Sequence, residues 1–244
     1  MTRQEGGVSS SVTGAIRLAD LSRAEFTKIR TLPATWIALA VTLAANTLLG
    51  LLAATDTVRV ATSDGQVAVA QLGTVMLAPV YAFLAVPVLT TGREYGGQLR
   101  ISLLATPDRS RFLLAKLLTS AGTAIVAAPL VLLPGLLVRH AAGGLPAEVT
   151  AYLLLGLVGG GFAVLARSAV TPLAVLLALP VLVSPMLAGL LPGLVRLLPH
   201  EATLSFLGTS TGPALSRTAG FWVLLAWAAG FVGAAWVATV RRDS

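Results

Sequence analysis

The chain has 244 residues, of which 56% are hydrophobic and only 11% are charged, and its mean hydropathy is +0.86. Soluble domains carry about 25% charged residues, so this composition excludes a core of the soluble type and indicates a protein that folds in lipid. Cysteine is absent, which excludes disulfides and thiolate metal sites. The net charge of +7 is therefore interpreted as a signal of membrane topology, and no nucleic-acid partner is expected.

The N-terminal region is predicted to contain a disordered stretch, residues 1–14, followed by an amphipathic helix over residues 15–34. At 100° per residue, the apolar side chains of this helix, Phe26 among them, fall within an arc of about 140°. The basic side chains, including Lys28 and Arg30, lie outside that arc. This pattern is typical of a helix that lies on a membrane surface.

Glu25 breaks the amphipathic pattern because it falls inside the apolar arc. A carboxylate in an apolar environment is costly unless it is paired. Two interpretations stay open at this point. The side chain tilts out toward Lys28 or solvent, or it pairs with an arginine of the later segment 93–100.

Six apolar stretches are long enough to cross a bilayer, which requires about 20 residues of helix. The sequence lacks the period-two alternation of barrel strands, so the predicted fold is an all-α integral membrane protein. Residues 35–244 would form its six-span transmembrane domain, and the third stretch is expected to begin outside the hydrocarbon layer. The stretches are 36–54, 70–90, 112–138, 149–166, 171–191 and 219–240.

The cations are divided unequally between the two faces of this six-span arrangement. Thirteen of the 17 Lys and Arg residues fall on the face that carries both termini, and four fall on the other face. The positive-inside rule therefore predicts that both termini are cytoplasmic and that the loop 92–110 is cytoplasmic too.

The spans offer no energy source of their own. No Asp, Glu, Lys, Arg or His lies in the middle of any predicted span, although carriers driven by ions or protons generally need such groups there. A phosphate-binding loop needs Gly-Lys-Ser/Thr, but the two lysines, Lys28 and Lys116, follow Thr27 and Ala115. The chain is thus not expected to bind ATP alone.

One enzyme-like motif is present. The sequence "GTSTG" at 208–212 matches the nucleophile elbow G-x-S-x-G, but both histidines, His140 and His200, precede Ser210, and no strand is predicted before it. Small residues in an outer loop are the preferred interpretation. His200 is interpreted as a loop residue, since His200 and Glu201 are too few ligands for a closed metal site.

Two further segments indicate packing and capping. Gly156 and Gly160 form G-x-x-x-G, which allows helix backbones to approach closely, either within one subunit or between subunits. Residues 192–218 are too apolar for a simple loop, yet Pro199 and Gly208 interrupt them. Short helices that cap the outer side or re-enter it are expected there.

Three segments carry a resemblance to a known family. "AEFTKIRTLPATW" resembles the entry (elbow) helix of type-2 ABC exporter permeases, particularly the actinobacterial ones, and "REYGGQLRISLLATPDRSRFLLAK" resembles the loop after their second span. The ending "RRDS" is similar to their Arg-Arg-Asp-Ala tail, and the six-span layout matches. Gln98 stands where the family usually has Thr, which puts the capping of the loop helix in doubt.

The resemblance implies that residues 93–106 form a coupling helix that docks into a cleft on a separate ATPase subunit. Gly96 and Gly97 would permit a sharp exit from the second span. The resemblance assigns the coupling role to Arg93, Glu94, Tyr95, Gly96, Gly97, Gln98, Leu99, Arg100 and Leu103, and the elbow helix to Glu25, Phe26, Lys28 and Arg30.

The resemblance also implies a function and a set of partners. The chain would be the permease subunit of an ATP-driven exporter in a bacterial plasma membrane, moving an amphiphilic drug, peptide antibiotic or lipid-linked molecule. Two permease chains, identical or related, would pair with two ATPase subunits, which would hold the ATP and Mg. The chain itself would be no enzyme and hold no metal or cofactor. The alternative is a non-transporting membrane scaffold or sensor subunit.

Overall fold

The computed structural model describes residues 18–54, 75, 77–93, 109–210 and 214–241. These residues form helices and their connections, without strands. The predicted disordered stretch 1–14 and the coupling residues from Glu94 to Leu103 lie outside the described residues. The helices are α1 (Leu18–Thr31), α2 (Pro33–Ala54), α3 (Pro79–Gly92), α4 (Arg109–Val138), α5 (Leu145–Ala166), α6 (Val170–Ala178), α7 (Ser184–Ala188), α8 (Pro192–Val195), α9 (Pro199–Leu207) and α10 (Arg217–Arg241).

Five helical segments are long and apolar enough to cross a membrane, which confirms the predicted all-helical, multi-pass class of protein. They are Pro33–Ala54, Ser110–Val138, Ala142–Ala166, Val170–Ala188 and Arg217–Arg241. The predicted second span corresponds to α3, which has 14 residues and measures about 21 Å. That is short of the roughly 30 Å of a hydrocarbon core, and residues 70–74 and 76 of the predicted stretch lie outside the described residues.

Helix α4 is longer than a membrane crossing requires. Its 30 residues measure about 45 Å, so the helix extends beyond a hydrocarbon layer of roughly 30 Å. This length agrees with the expectation that the third apolar stretch begins outside the lipid. The first turns of α4 hold the charged residues Arg111 and Lys116, which places the excess length at that end.

Helix α5 forms the centre of the bundle. In its most apolar stretch, 61% of the residues are buried inside the chain. The corresponding share is 17% in α2 and in α10, so the apolar faces of these two helices are left for lipid. Helix α5 packs against α3, α4 and α10. The largest buried side chains of this core are Phe83, Leu84, Leu132, Leu136, Leu155 and Leu224.

The fifth span is interrupted in the middle. A π-helical segment, Leu179–Val183, joins α6 to α7 and contains Pro180. Proline cannot donate the backbone hydrogen bond that an α-helix requires, so the ladder is rearranged locally at this point.

The predicted G-x-x-x-G pair lies inside the subunit, between α5 and α3. Gly156 and Gly160 are both buried. A Cβ atom added at Gly156 would lie 4.0 Å from the Pro87 side chain on α3, and one added at Gly160 would lie 3.7 Å from it. Both distances are ordinary van der Waals contacts. The two glycines therefore face the proline of α3 in the same chain.

The backbones of α2 and α4 approach each other closely at two glycines. A Cβ atom added at Gly50 would be 2.6 Å from the carbonyl oxygen of Gly135, and one added at Gly135 would be 2.9 Å from the carbonyl carbon of Asn46. We expect Gly135→Ala to lower the free energy of unfolding by about 1–3 kcal/mol, because the helices must separate to admit the methyl group. Denaturant unfolding in detergent measures this change.

The same substitution at Gly122, also on α4, is the matched control. A Cβ atom at Gly122 meets nothing within 4 Å. Alanine stabilises an open helical position by about 0.5–1 kcal/mol relative to glycine, so the two variants should move stability in opposite directions. Equal effects would show that the α2–α4 contact tolerates separation.

Candidate functional site

Helix α1 lies outside the membrane-spanning helices and packs mainly along the first half of α4. Its buried residues are Glu25 and Ile29, and Ile29 contacts a small apolar cluster with Ala38 and Val86. Phe26 faces outward with 53% of its surface exposed. The helix thus has one face on the bundle and an apolar side chain available to lipid, as expected for a helix at a membrane surface.

Glu25 forms a buried ion pair between α1 and α4. One carboxylate oxygen lies 2.7 Å from the Lys28 ammonium nitrogen, and the other lies 3.0 Å from that of Lys116. The side chains of Glu25 and Lys116 are each only 6% exposed, whereas that of Lys28 is 34% exposed. The carboxylate therefore joins a buried cation of α4 to a partly exposed cation of α1.

The two ammonium groups keep Glu25 ionised. Burial alone would raise the pKa of its carboxyl group, but Lys116 and then Lys28 outweigh that effect, and the pKa is lower than its ordinary value. An ionised carboxylate that is hydrogen-bonded to both lysines is a stable arrangement in a site that excludes water.

The structure corrects part of the interpretation of Glu25. The contact with Lys28 is present, but the carboxylate does not tilt out to solvent, because Lys116 holds it in a buried position. Arg100, one of the alternative partners considered from the sequence, lies outside the described residues. Sequence reasoning missed Lys116, which lies 91 positions away on another helix.

Two more of the predicted site residues, Arg30 and Arg93, are described by the structure. Arg30 is exposed, and its carbonyl oxygen accepts a hydrogen bond of 2.8 Å from the Trp36 indole nitrogen, which joins α1 to α2. Arg93 is exposed directly after the end of α3. The segment 94–108 therefore connects the end of α3 to the start of α4, the helix on which α1 rests.

A second group of polar residues lies at the far end of α4. The Arg139 guanidinium donates to the Glu148 carboxylate, and the Asn46 amide nitrogen donates to the Tyr152 hydroxyl at 3.1 Å. These pairs border a cavity of about 30 Å³, which has room for one or two water molecules. Its other lining residues are Gly50, Leu77, Leu132, Gly135, Leu136, Leu207 and Thr209.

His200 is not a loop residue, contrary to the interpretation made from the sequence. It lies near the start of α9 with 2% of its surface exposed, and its Nδ1 atom is 2.7 Å from the Tyr81 hydroxyl oxygen on α3. Burial lowers the pKa of its imidazole to about 4, so the ring is neutral at pH 7. Its Nε2 atom has no hydrogen-bond partner among the described residues.

The segment that the sequence marks as an outer cap contains the short helices α8 and α9. Helix α9 packs against α10 and α5, and most of its residues are buried. The nucleophile elbow requires a strand before its serine. Here helix α9, which ends at Leu207, precedes Ser210. No group of three or more His, Cys, Asp or Glu side chains that could hold a metal ion occurs within the described ranges.

The helices described above define a multi-pass membrane protein with two polar centres, one at each end of α4. No known protein family and no curated protein matches its sequence.

Proposed function

We propose that the chain is the membrane-spanning permease subunit of an ATP-driven ABC exporter, with six spans and both termini in the cytoplasm. The observation that carries this proposal is the buried Glu25–Lys116 ion pair. It ties α1, which resembles an elbow helix, to α4, the helix that follows the segment resembling a coupling helix. A coupling segment that transmits force needs such a firm attachment at its base.

The path of the force follows from the length of α4. ATP binding to the partner subunits would close them and displace residues 93–106. Helix α4 begins at Arg109, three residues after the end of this segment, and continues for 30 residues to the polar cavity beside Arg139. The ion pair makes α1 move with the base of α4, so a displacement there would reach the opposite end of the bundle. Such coupling requires two states in which the ATPase contacts the segment differently.

The partners and substrate of this proposal come from the resemblance. Two permease chains, identical or related, would assemble with two ATPase subunits, which supply ATP and Mg. The substrate would be amphiphilic: a drug, a peptide antibiotic or a lipid-linked molecule. The membrane would be the plasma membrane of a bacterial cell.

Co-purification tests the proposal. The tagged chain is expressed with a candidate ABC ATPase from the same genome, purified in detergent and reconstituted in nanodiscs. We expect a stable complex whose ATP turnover rises when an amphiphilic substrate is added. A chain that purifies without the ATPase contradicts the proposal. A complex that hydrolyses ATP but moves no fluorescent amphiphile into proteoliposomes would favour the scaffold or sensor role.

The proposed orientation gives a separate expected result. Because the chain lacks cysteine, single cysteines at Ser63 and Ser102 can be labelled selectively with an impermeant maleimide in intact cells. We expect labelling at Ser63 and none at Ser102 until the cells are opened, since the excess of cations places residues 92–110 in the cytoplasm. The reverse pattern would show that the orientation is inverted.

A further inference from the structure

Helix α9 has a change of backbone conformation at each end. Leu198, before the helix, is extended with ψ of 147°, and Gly208, after it, is left-handed with φ of +73°. The amide groups of Gly208 and Thr209 donate to carbonyl groups of the last turn, which closes the helix. Element-terminal residues of this kind are positions where a short helix can pivot.

The polar contact between α9 and α3 is the pair formed by Tyr81 and His200. Besides the 2.7 Å contact of the Tyr81 hydroxyl with Nδ1, the two rings stack with their centroids 6.0 Å apart. Among the residues that the structure describes, the buried Nε2 atom of His200 has no hydrogen-bond partner. A buried polar atom without a partner is destabilising, so the unpaired Nε2 atom weakens this contact. The main packing of α9 is against α10.

The surroundings of His200 disfavour a positive charge on it. The charged residues on α9 and on the described elements next to it are Glu201 on α9, Arg196 just before α9, Arg217 and Arg241 at the two ends of α10, and Glu148 on α5, which is paired with Arg139. None of them forms a hydrogen bond or an ion pair with the imidazole among the described residues. Protonation would place a second, unsatisfied N–H and an unpaired charge in a buried position, which is costly only while α9 remains against α3.

We propose that the Tyr81–His200 contact is an acid-sensitive latch that holds α9 against α3 and opens when the side on which α9 lies is acidified. Because Leu207 and Thr209, at the end of α9, line the polar cavity, opening would expose that cavity to water. The latch does not depend on the exporter function and is tested without an ATPase.

The expected pH range follows from the two states of His200. Its pKa is about 4 with α9 seated, against an ordinary value of 6.5. The seated state therefore prefers neutral histidine, so its advantage is complete above pH 6.5 and is lost as the pH falls toward 4. Between pH 7.5 and 5.5, the ratio of open to seated molecules should rise about tenfold.

Cysteine labelling in nanodiscs measures this ratio, because both faces of the protein are then accessible. Leu77 is only 4% exposed and lines the cavity with Leu207, so a cysteine at this position reacts with a hydrophilic maleimide only in open molecules. At each pH, the labelling rate of Leu77→Cys is divided by the labelling rate of Gly143→Cys, whose position is exposed. This ratio corrects for the change in thiol ionisation with pH. We expect the corrected rate to rise about tenfold from pH 7.5 to 5.5.

Two substitutions separate the latch from general loosening at low pH. His200→Gln keeps a hydrogen-bonding side chain but does not titrate, so the corrected rate should become independent of pH. Tyr81→Phe removes the hydroxyl, so labelling should be faster at both pH values and should still rise in acid. A flat rate in the parent protein, or a tenfold rise that persists in His200→Gln, would overturn the proposal.

Discussion

Replacing Lys116 with methionine is expected to lower the free energy of unfolding by about 3 kcal/mol or more, because it breaks a buried ion pair from one side. The Glu25 carboxylate would stay buried and would keep only Lys28, whose side chain is 34% exposed. Methionine keeps most of the lysine's apolar volume, so the loss reports on the charge. Denaturant unfolding in detergent, followed by circular dichroism, gives the difference between the variant and the parent.

Lys28→Met is the matched control on the same carboxylate. A partly exposed ion pair contributes only about 0–1 kcal/mol, so this variant should lose much less stability. The double variant Glu25→Leu with Lys116→Met removes both buried charges, and buried pairs replaced by apolar residues are often neutral in stability. Equal losses in the two single variants would show that Lys116 is not the main partner of Glu25.

The same ion pair predicts a dependence of stability on pH. The pKa of Glu25 in the folded protein is below the ordinary value of 4.5, so its contribution is complete above that value. The contribution is lost as the pH falls through the lower, folded pKa. Lys116→Met removes a cation beside Glu25 and so raises the pKa of this carboxyl group in the folded protein. The difference in stability between the variant and the parent should therefore become smaller toward pH 4, where the parent also begins to lose the ion pair.

The class of fold could be predicted from the sequence because hydropathy is a property of each stretch taken alone. Helix boundaries were less predictable. The fourth stretch was expected to begin at residue 149, but α5 begins at Leu145, because the Arg139 guanidinium pairs with Glu148 and allows a charged residue inside the helix. The π-helical segment at Pro180 was not predicted either, because hydropathy does not specify how the backbone hydrogen bonds rearrange around a proline.

The Glu25–Lys116 ion pair and the Tyr81–His200 contact were only partly predictable, for one physical reason. The position of Glu25 in an apolar arc showed that it needs a partner, but the packing of α1 on α4 decides which cation supplies it. His200 gave no such signal, because its partner Tyr81 is 119 positions away and neither residue is unusual in its own segment. Contacts between distant helices are set by the assembled bundle, which a single sequence does not reveal.

Reversing charge in the proposed coupling segment is expected to abolish the functional complex without affecting membrane insertion. Glu94→Lys and Arg100→Glu lie between the second and third apolar stretches, so the hydrophobicity that directs insertion is unchanged. If residues 93–106 dock in a cleft of the ATPase, loss of one side of a buried, hydrogen-bonded charge pair weakens the interface by about 2–5 kcal/mol. Pull-down of the ATPase and ATP turnover in nanodiscs measure the two consequences.

Arg59→Glu is the control, because it makes an equally large change of charge in the predicted loop on the opposite face. It should bind the ATPase and stimulate turnover like the parent, since a charge outside the interface does not contribute to it. Loss of activity in all three variants would point to a general effect of net charge. Parental behaviour of both Glu94→Lys and Arg100→Glu would show that residues 93–106 only connect two helices. In that case the Glu25–Lys116 pair would fasten α1 to α4 for stability alone, and the scaffold role would become the better account of the protein.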